Sequence, residues 1–295
     1  MKVVVTLCSR LMFFGVLTTL IVGCGGREDT GPQPDANTVE LIRTSLSAGA
    51  PAETVDAATV EPTGFATLKG TFRFQGQAPN PTPLSITKDE AVCAPGGKSV
   101  YDRNFVVDSA TGGLANVLLY VDKIPAEWVN ADAQAGHEGE VVFDQKDCVF
   151  LTRLVAMQTS QSLRILNSDP VGHNLMVAEF NETIPSGGSS TYRPRKEQRS
   201  PVEMRCAVHP WMKAWFINRD NPYFAVTGPD GSFQIPNLPA GVELEFRVWQ
   251  EKIGPITQVS LNGQSTSWSK GKMTVMLEPE SELEMDVVLS DALLQ

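Results

Sequence analysis

From Gly64 onward, apolar residues fall in short runs rich in Val, Phe, Leu, Tyr and Thr, and Gly, Pro, Asn and Asp interrupt them roughly every eight to twelve residues. Little of this region keeps a helical period for a useful length, and apolar and polar positions alternate in many of the runs, the signature of half-buried strands. The pattern predicts strands over Ala66–Phe74, Ser99–Val107, Ala115–Val121, Glu140–Phe143, Ser162–Leu166, His173–Phe180, Val202–Cys206 and Ala214–Ile217. Beyond Asn221 it predicts a hairpin about Pro229-Asp230-Gly231, because Pro-Asp-Gly between alternating runs is turn chemistry. Further strands follow over Glu243–Trp249, Lys272–Leu277 and Glu284–Leu289, and one helix of a turn or two is expected around Pro125–Ala131. Short strands at this spacing favour packed sheets, so the fold class read from the pattern is all-β, a sandwich or a pair of them.

The first sixty residues read differently. Met1, Lys2 and Arg10 precede an apolar run, Leu11–Val22, that is too short to cross a bilayer unaided. Residues 1–23 are therefore expected to be a signal peptide. The run ends Ile21-Val22-Gly23-Cys24, which resembles the lipobox of bacterial lipoproteins. That resemblance implies cleavage before Cys24, acylation of its thiol and a lipid anchor in the bacterial envelope, on the periplasmic or surface side. Ordinary secretory cleavage nearby is the alternative. Gly25–Glu61 has no aromatic residue and is rich in Gly, Pro, Asp, Thr, Ala and Ser, a composition that cannot offset the entropy of ordering. Residues 24–63 are thus expected to be a flexible tether with one short amphipathic stretch at Asn37–Leu46.

Overall composition adds a bound. The chain has 295 residues, 42% of them hydrophobic and 20% charged, which suits a globular protein with a real core. Its formal charge of -10 argues against nucleic acid as a partner.

Cysteine and histidine usage carries the chemistry. Of five cysteines, Cys8 leaves with the signal and Cys24 is the lipidation candidate, so Cys93, Cys148 and Cys206 remain. In an oxidising compartment two of these pair, and Cys206 has a competing use, which leaves Cys93 with Cys148; the alternative is two buried free thiols. The chain has only three histidines. His173 ends a turn-forming stretch, Asn167 to Gly172, and opens a strand; His209 lies in Cys206-Ala207-Val208-His209-Pro210-Trp211-Met212. A thiol, an imidazole and a thioether within one short loop, with a second imidazole upstream, suit copper. The thiolate is soft enough for Cu(I), imidazole accepts both oxidation states, and the thioether is a weak axial donor. Zinc in a structural site takes four Cys or His ligands, a worse match. His137, in Gly136-His137-Glu138-Gly139, has no such company.

These residues resemble the cupredoxins, the small blue copper proteins, and are closest to amicyanin and plastocyanin-like members. The family pattern Cys-x-x-His-Pro-aromatic-Met is matched by Cys206, His209, Pro210, Trp211 and Met212, and an upstream His-Asn by His173 and Asn174. The resemblance covers about Gln158 to Asn218. It implies a Greek-key β-sandwich holding one type 1 copper ion on His173, Cys206, His209 and Met212, with Asn174 tying the two ligand segments together. It also implies electron exit at an exposed imidazole edge, beside which Trp211 and Trp215 are candidates for shielding the site or for partner docking, with core packing the alternative for at least one. The chain departs from the pattern in the basic segment with Arg193, Arg195, Lys196 and Arg199, read here as a solvated loop, and in the long section from Gly64 to Gln158.

The stretch from Phe224 resembles the carboxypeptidase regulatory-like, transthyretin-type sandwich, and Gly70–Pro79 resembles a first strand of the same module. The expected division is 64–219 for the copper domain with its extension and 220–295 for the second sandwich, with strand sharing between them left open. The function so implied is a membrane-tethered carrier of single electrons serving a redox protein of the envelope. The alternatives are copper buffering or transfer, and glycan or protein binding by the C-terminal sandwich. An enzyme is not expected: multicopper catalysis needs more histidines, and no Ser-His-Asp set, phosphate loop or carboxylate pair is visible.

Overall fold

In the strand Gly64–Gln75, Ala66, Leu68, Phe72 and Phe74 are buried while Lys69, Thr71 and Arg73 face outward, as the alternation requires. The register shift opposite Ala66 and Leu68 puts the extra residue on the partner strand, where Asn237 has φ 56°. Gly70 is a glycine for a reason of space: a Cβ there would lie 2.1 Å from the carbonyl oxygen of Met285. The strand sits between Ser232–Ala240, antiparallel to it, and Glu282–Ser290, parallel to it. Gln258–Leu261 and Gln264–Ser267 complete this sheet.

A second sheet runs Phe224–Val226, Val117–Val121, Glu243–Gln250, Gly254–Pro255, with Lys272–Met276 also on Glu243–Gln250. Every residue of Val117–Val121 is buried, and its sequence, Val-Leu-Leu-Tyr-Val, has no polar alternation because both faces are covered. Val117, Leu119 and Val121 join the core between these two sheets, whereas Leu118 and Tyr120 join a separate cluster with Leu154, Ile217 and Phe224. That cluster is the seam to a second sandwich.

The second sandwich has one sheet in the order Leu154–Gln158, Lys213–Arg219, Val202–Arg205, His173–Val177, Phe180–Ile184, and a facing sheet in the order Val149–Phe150, Glu140–Lys146, Ser162–Asn167, Ser189–Tyr192. Phe143, Phe150, Ile165, Leu175, Met204 and Phe216 fill the space between them. The fold is all-β, as expected.

These facts rest on a computed structural model that describes residues 60–294. The expected signal peptide, Cys24, the Asn37–Leu46 stretch and nearly all of the tether lie outside the described residues.

The sheets do not divide at 219/220. Gly64–Gln75 and Val117–Val121 pair with C-terminal strands, so the copper-domain candidate lies between two adjacent strands, Val117–Val121 and Phe224–Val226, of the other sandwich. What looked like an N-terminal extension therefore supplies two strands to the C-terminal body. Three smaller differences are local. Ser99–Val107 forms only isolated bridges, Pro83 to Tyr101 and Val107 to Leu114, and pairs along its length with no strand. His173–Phe180 is a hairpin, turned by Ala178 at φ 47°. The helix expected around Pro125–Ala131 is split into a 3-10 turn, Ala126–Trp128, and a short α-helix, Ala131–Ala135, where Asn130 accepts from Asp132 and Ala133 and starts a new helix. Cys93 and Cys148 form a disulfide, and Cys206 is unpaired among the described residues.

Candidate metal centre

His173 is the first residue of its strand, and Cys206 follows directly on Val202–Arg205, the neighbouring strand in the same sheet. The loop after Cys206 closes on itself: Met212 N–H donates to the His209 carbonyl at 2.9 Å, and Cys206 N–H donates to the Met212 carbonyl at 3.3 Å. Exposed Pro210 lies at the tip, and its fixed φ stiffens the turn. The loop is thereby folded back so that His209 points inward beside Cys206.

Asn174 joins the two segments. Its backbone N–H donates to Cys206 Sγ at 3.3 Å, its Oδ1 accepts from Ala207 N–H at 3.2 Å, and its Nδ2 donates to Asn181 Oδ1 and the Glu182 carbonyl. Asn174→Ala is expected to destabilise the fold by about 0.5–1.5 kcal/mol, because the part-buried hydrogen bonds to the Ala207 N–H and the Glu182 carbonyl are lost. Urea denaturation followed by Trp fluorescence measures it.

Ligand atoms of His173, Cys206 and His209 lie within 4.8 Å of one another, and all three residues are buried. The Nδ1 atoms of the two rings are 2.8 Å apart, and Cys206 Sγ is 4.0 Å from His209 Nδ1. Each ring turns its Nε2 to a carboxylate: His173 to Asp169 Oδ2 at 2.7 Å, and His209 to Asp89 Oδ2 at 2.9 Å. A carboxylate only accepts, so the ring hydrogen belongs on Nε2 and both Nδ1 lone pairs face each other and the sulfur. Lone pairs held that close repel unless a cation, a proton or a metal ion, is shared between them. Cys206 Sγ also receives N–H groups from Asn174 and His209, which suits an electron-rich sulfur. Burial pushes His173 below the usual imidazole pKa, against the opposing pull of its Asp169 hydrogen bond, and so favours the neutral ring that a metal requires. The donor set fits a soft or borderline metal ion.

Met212 is buried in the same core cluster as Cys206. His137 packs on Phe224, with ring centroids 4.7 Å apart, and belongs to none of the close His and Cys groups. One expectation about the surroundings needs correction. Neither ring edge is open: the side chains of His173 and His209 are 0% exposed. Trp211 is buried in the core, with Nε1 donating to the Cys148 carbonyl at 3.0 Å, and half-buried Trp215 packs edge-on against Trp249 at the seam between the sandwiches. Arg193, Arg195, Lys196 and Arg199 are exposed, as a solvated loop would have them.

Asp169 and Asp89 are the functional candidates that sequence reasoning missed. Asp169 was findable: it stands four residues before His173 in a turn whose Asn167 accepts the Asp169 N–H. Asp89 gave no signal, being 120 residues from His209.

No protein-family model matches the chain, and no curated protein matches it. Among solved structures it is similar to amicyanin from Paracoccus versutus, at 17% identity and a TM-score of 0.25, over 34% of this chain and 97% of that one. A Cu(I) form of an amicyanin variant is similar at 16% identity and a TM-score of 0.26, over 35% of this chain and 99% of that one. A copper-containing nitrite reductase from Thermus scotoductus is similar at 14% identity and a TM-score of 0.25, over 27% of this chain and 22% of the length of the reductase.

Proposed function

We propose that the chain is a type 1 copper protein that carries single electrons and is not itself a catalyst. The observation that carries this reading is the placing of the two Nδ1 atoms 2.8 Å apart beside the sulfur of Cys206, with each ring's Nε2 turned to a carboxylate. His173, Cys206 and His209 would hold the ion, with Met212 as the weak fourth donor. Copper bound there supplies one-electron exchange between Cu(II) and Cu(I). The protein's part is to fix the donors. Asp169 and Asp89 hold the rings, Asn174 ties the segments, and the loop hydrogen bonds keep His209 from swinging away, so little has to rearrange when the charge changes.

Copper hand-over is the less favoured reading, because both imidazoles are fully buried and a transfer site has to be reached. The lipid anchor at Cys24, the place in the bacterial envelope and a redox protein as partner belong to the same proposal and rest on the sequence motif. The strand-sharing C-terminal sandwich is read as a transthyretin-type support for the copper domain.

Titrating the purified protein with Cu(II) tests the reading. One equivalent is expected to give an intense visible thiolate-to-copper absorption, reversibly bleached by reduction. Met212→Ala is expected to keep the colour and shift the potential in voltammetry. A chain that binds copper without that absorption would rule out the type 1 assignment.

A further inference from the structure

Asp89 occupies an unusual position. It precedes the short helix Glu90–Cys93, where an Asp ordinarily turns its carboxylate to cap the helix; here the side chain makes no cap hydrogen bond. It points instead at His209 Nε2, 2.9 Å away. Its backbone lies in the left-handed region, φ 50° and ψ 39°, which Asp adopts more readily than most residues with a side chain. Its neighbours hold the turn in place. The Asp89 carbonyl accepts the N–H groups of Val92 and Cys93, and Cys93 is bonded to Cys148. At its other end the disulfide reaches the second imidazole: Cys148 N–H donates to Asp169 Oδ2 at 2.8 Å, the oxygen that also contacts His173 Nε2. The sulfurs of Cys93 and Cys148 themselves lie within 4.8 Å of a His209 ring nitrogen. One covalent link thus connects the two carboxylates that orient the two rings. Asp89 is also the cover of the site, since its side chain is 35% exposed while the ring beneath it is 0% exposed.

We propose that Asp89 is a positioning residue for the metal centre, holding His209 Nδ1 toward Cys206 and sealing the ring edge from solvent, and that the Cys93–Cys148 disulfide keeps it there. This rests on the copper reading. A carboxylate on the far nitrogen raises the basicity of a ligating imidazole, and outer partners of this kind are typically worth about 10–100-fold in metal affinity. A more basic imidazole favours Cu(II) over Cu(I), so losing the carboxylate raises the potential.

Three variants test it in the full chain: Asp89→Ala, Asp89→Asn, and the pair Cys93→Ala with Cys148→Ala. Asp89→Ala is expected to lower Cu(II) affinity about 10–100-fold and to raise the reduction potential. Asp89→Asn keeps an acceptor without the charge, so it should fall between Asp89→Ala and the unaltered chain. In the metal-free protein, nitrogen-15 NMR should show a solvent-protected hydrogen on His209 Nε2, kept in Asp89→Asn and lost in Asp89→Ala. The cysteine pair variant should move protection and potential in the direction of Asp89→Ala. Unchanged potential and protection in Asp89→Ala would overturn the positioning role; unchanged values in the cysteine variant, with Asp89→Ala shifted, would overturn the part given to the disulfide. The NMR arm needs no copper. Failure of the copper reading shows as a colourless unaltered chain, and failure of the Asp89 contact as a fast-exchanging Nε2 hydrogen in that same chain.

Discussion

Cys206→Ser is expected to abolish the visible absorption of the copper-loaded protein completely while leaving the fold intact. The substitution keeps the size and the buried position. Its oxygen can still accept the N–H groups of Asn174 and His209 that now point at the sulfur, so no buried donor is orphaned. The sulfur's soft, polarisable electron pair is lost, and that pair is what gives a type 1 site its colour and its hold on Cu(I). Visible spectra at matched copper load, set beside circular dichroism melts of both proteins, measure the two halves of the expectation. Retention of the band would mean that Cys206 is not the ligand, and the His173–His209 pair would then need another occupant for its facing lone pairs.

The sequence made the centre of the site legible because its parts are local. Cys206 and His209 share one loop, and His173 with Asn174 opens a strand after a recognisable turn. The all-β character was legible too, since alternation in stretches such as Glu243–Trp249 is a local property. What escaped was set by distant pairing. Nothing within Gly64–Gln75 says that its neighbours are Ser232–Ala240 and Glu282–Ser290, because strand order is decided by contacts made across most of the chain. Val117–Val121 carried a hint in its unbroken apolar run: a strand with no polar face has to be covered twice, here by the core of its own sandwich and by the seam to the next. Asp89 was invisible for the same reason as the strand order. Its meaning comes from a ring it meets only when the segment around Cys93 is folded over the site.

The seam between the sandwiches carries the second large effect. Arg219, at the end of Lys213–Arg219, is 1% exposed, among the most buried large side chains of the protein. Its Nη1 donates to the Gln198 carbonyl at 2.6 Å; its Nη2 donates to the carbonyl of Asp122 at 2.5 Å and to that of Val121 at 3.3 Å, and lies 3.3 Å from Glu197. The guanidinium also lies over the Tyr120 ring, 5.0 Å from its centroid. Its contacts therefore run from the sandwich with the candidate metal centre to the end of Val117–Val121 in the other one. Arg219→Met has a comparable length and no donors, so these carbonyls would lose a charged partner in a place water reaches poorly. The expected destabilisation is about 3–5 kcal/mol, the usual cost of breaking a buried charged network by removing one member. Two features hold it to the lower part of that range. Glu197 is partly exposed and can return to water, and Arg219 Nε is itself buried without a hydrogen-bond partner among the described residues, so the native arrangement is not fully satisfied. Arg219→Lys should recover only part of the loss, since a single ammonium cannot span carbonyls that a planar fork reaches together. The proposed copper site lies at the opposite end of the same strand, beyond Lys213, so copper-treated variants should show the same visible spectrum as the unaltered chain at temperatures where they remain folded. Urea midpoints of Arg219→Met equal to those of the unaltered chain would show that the seam is held without this network.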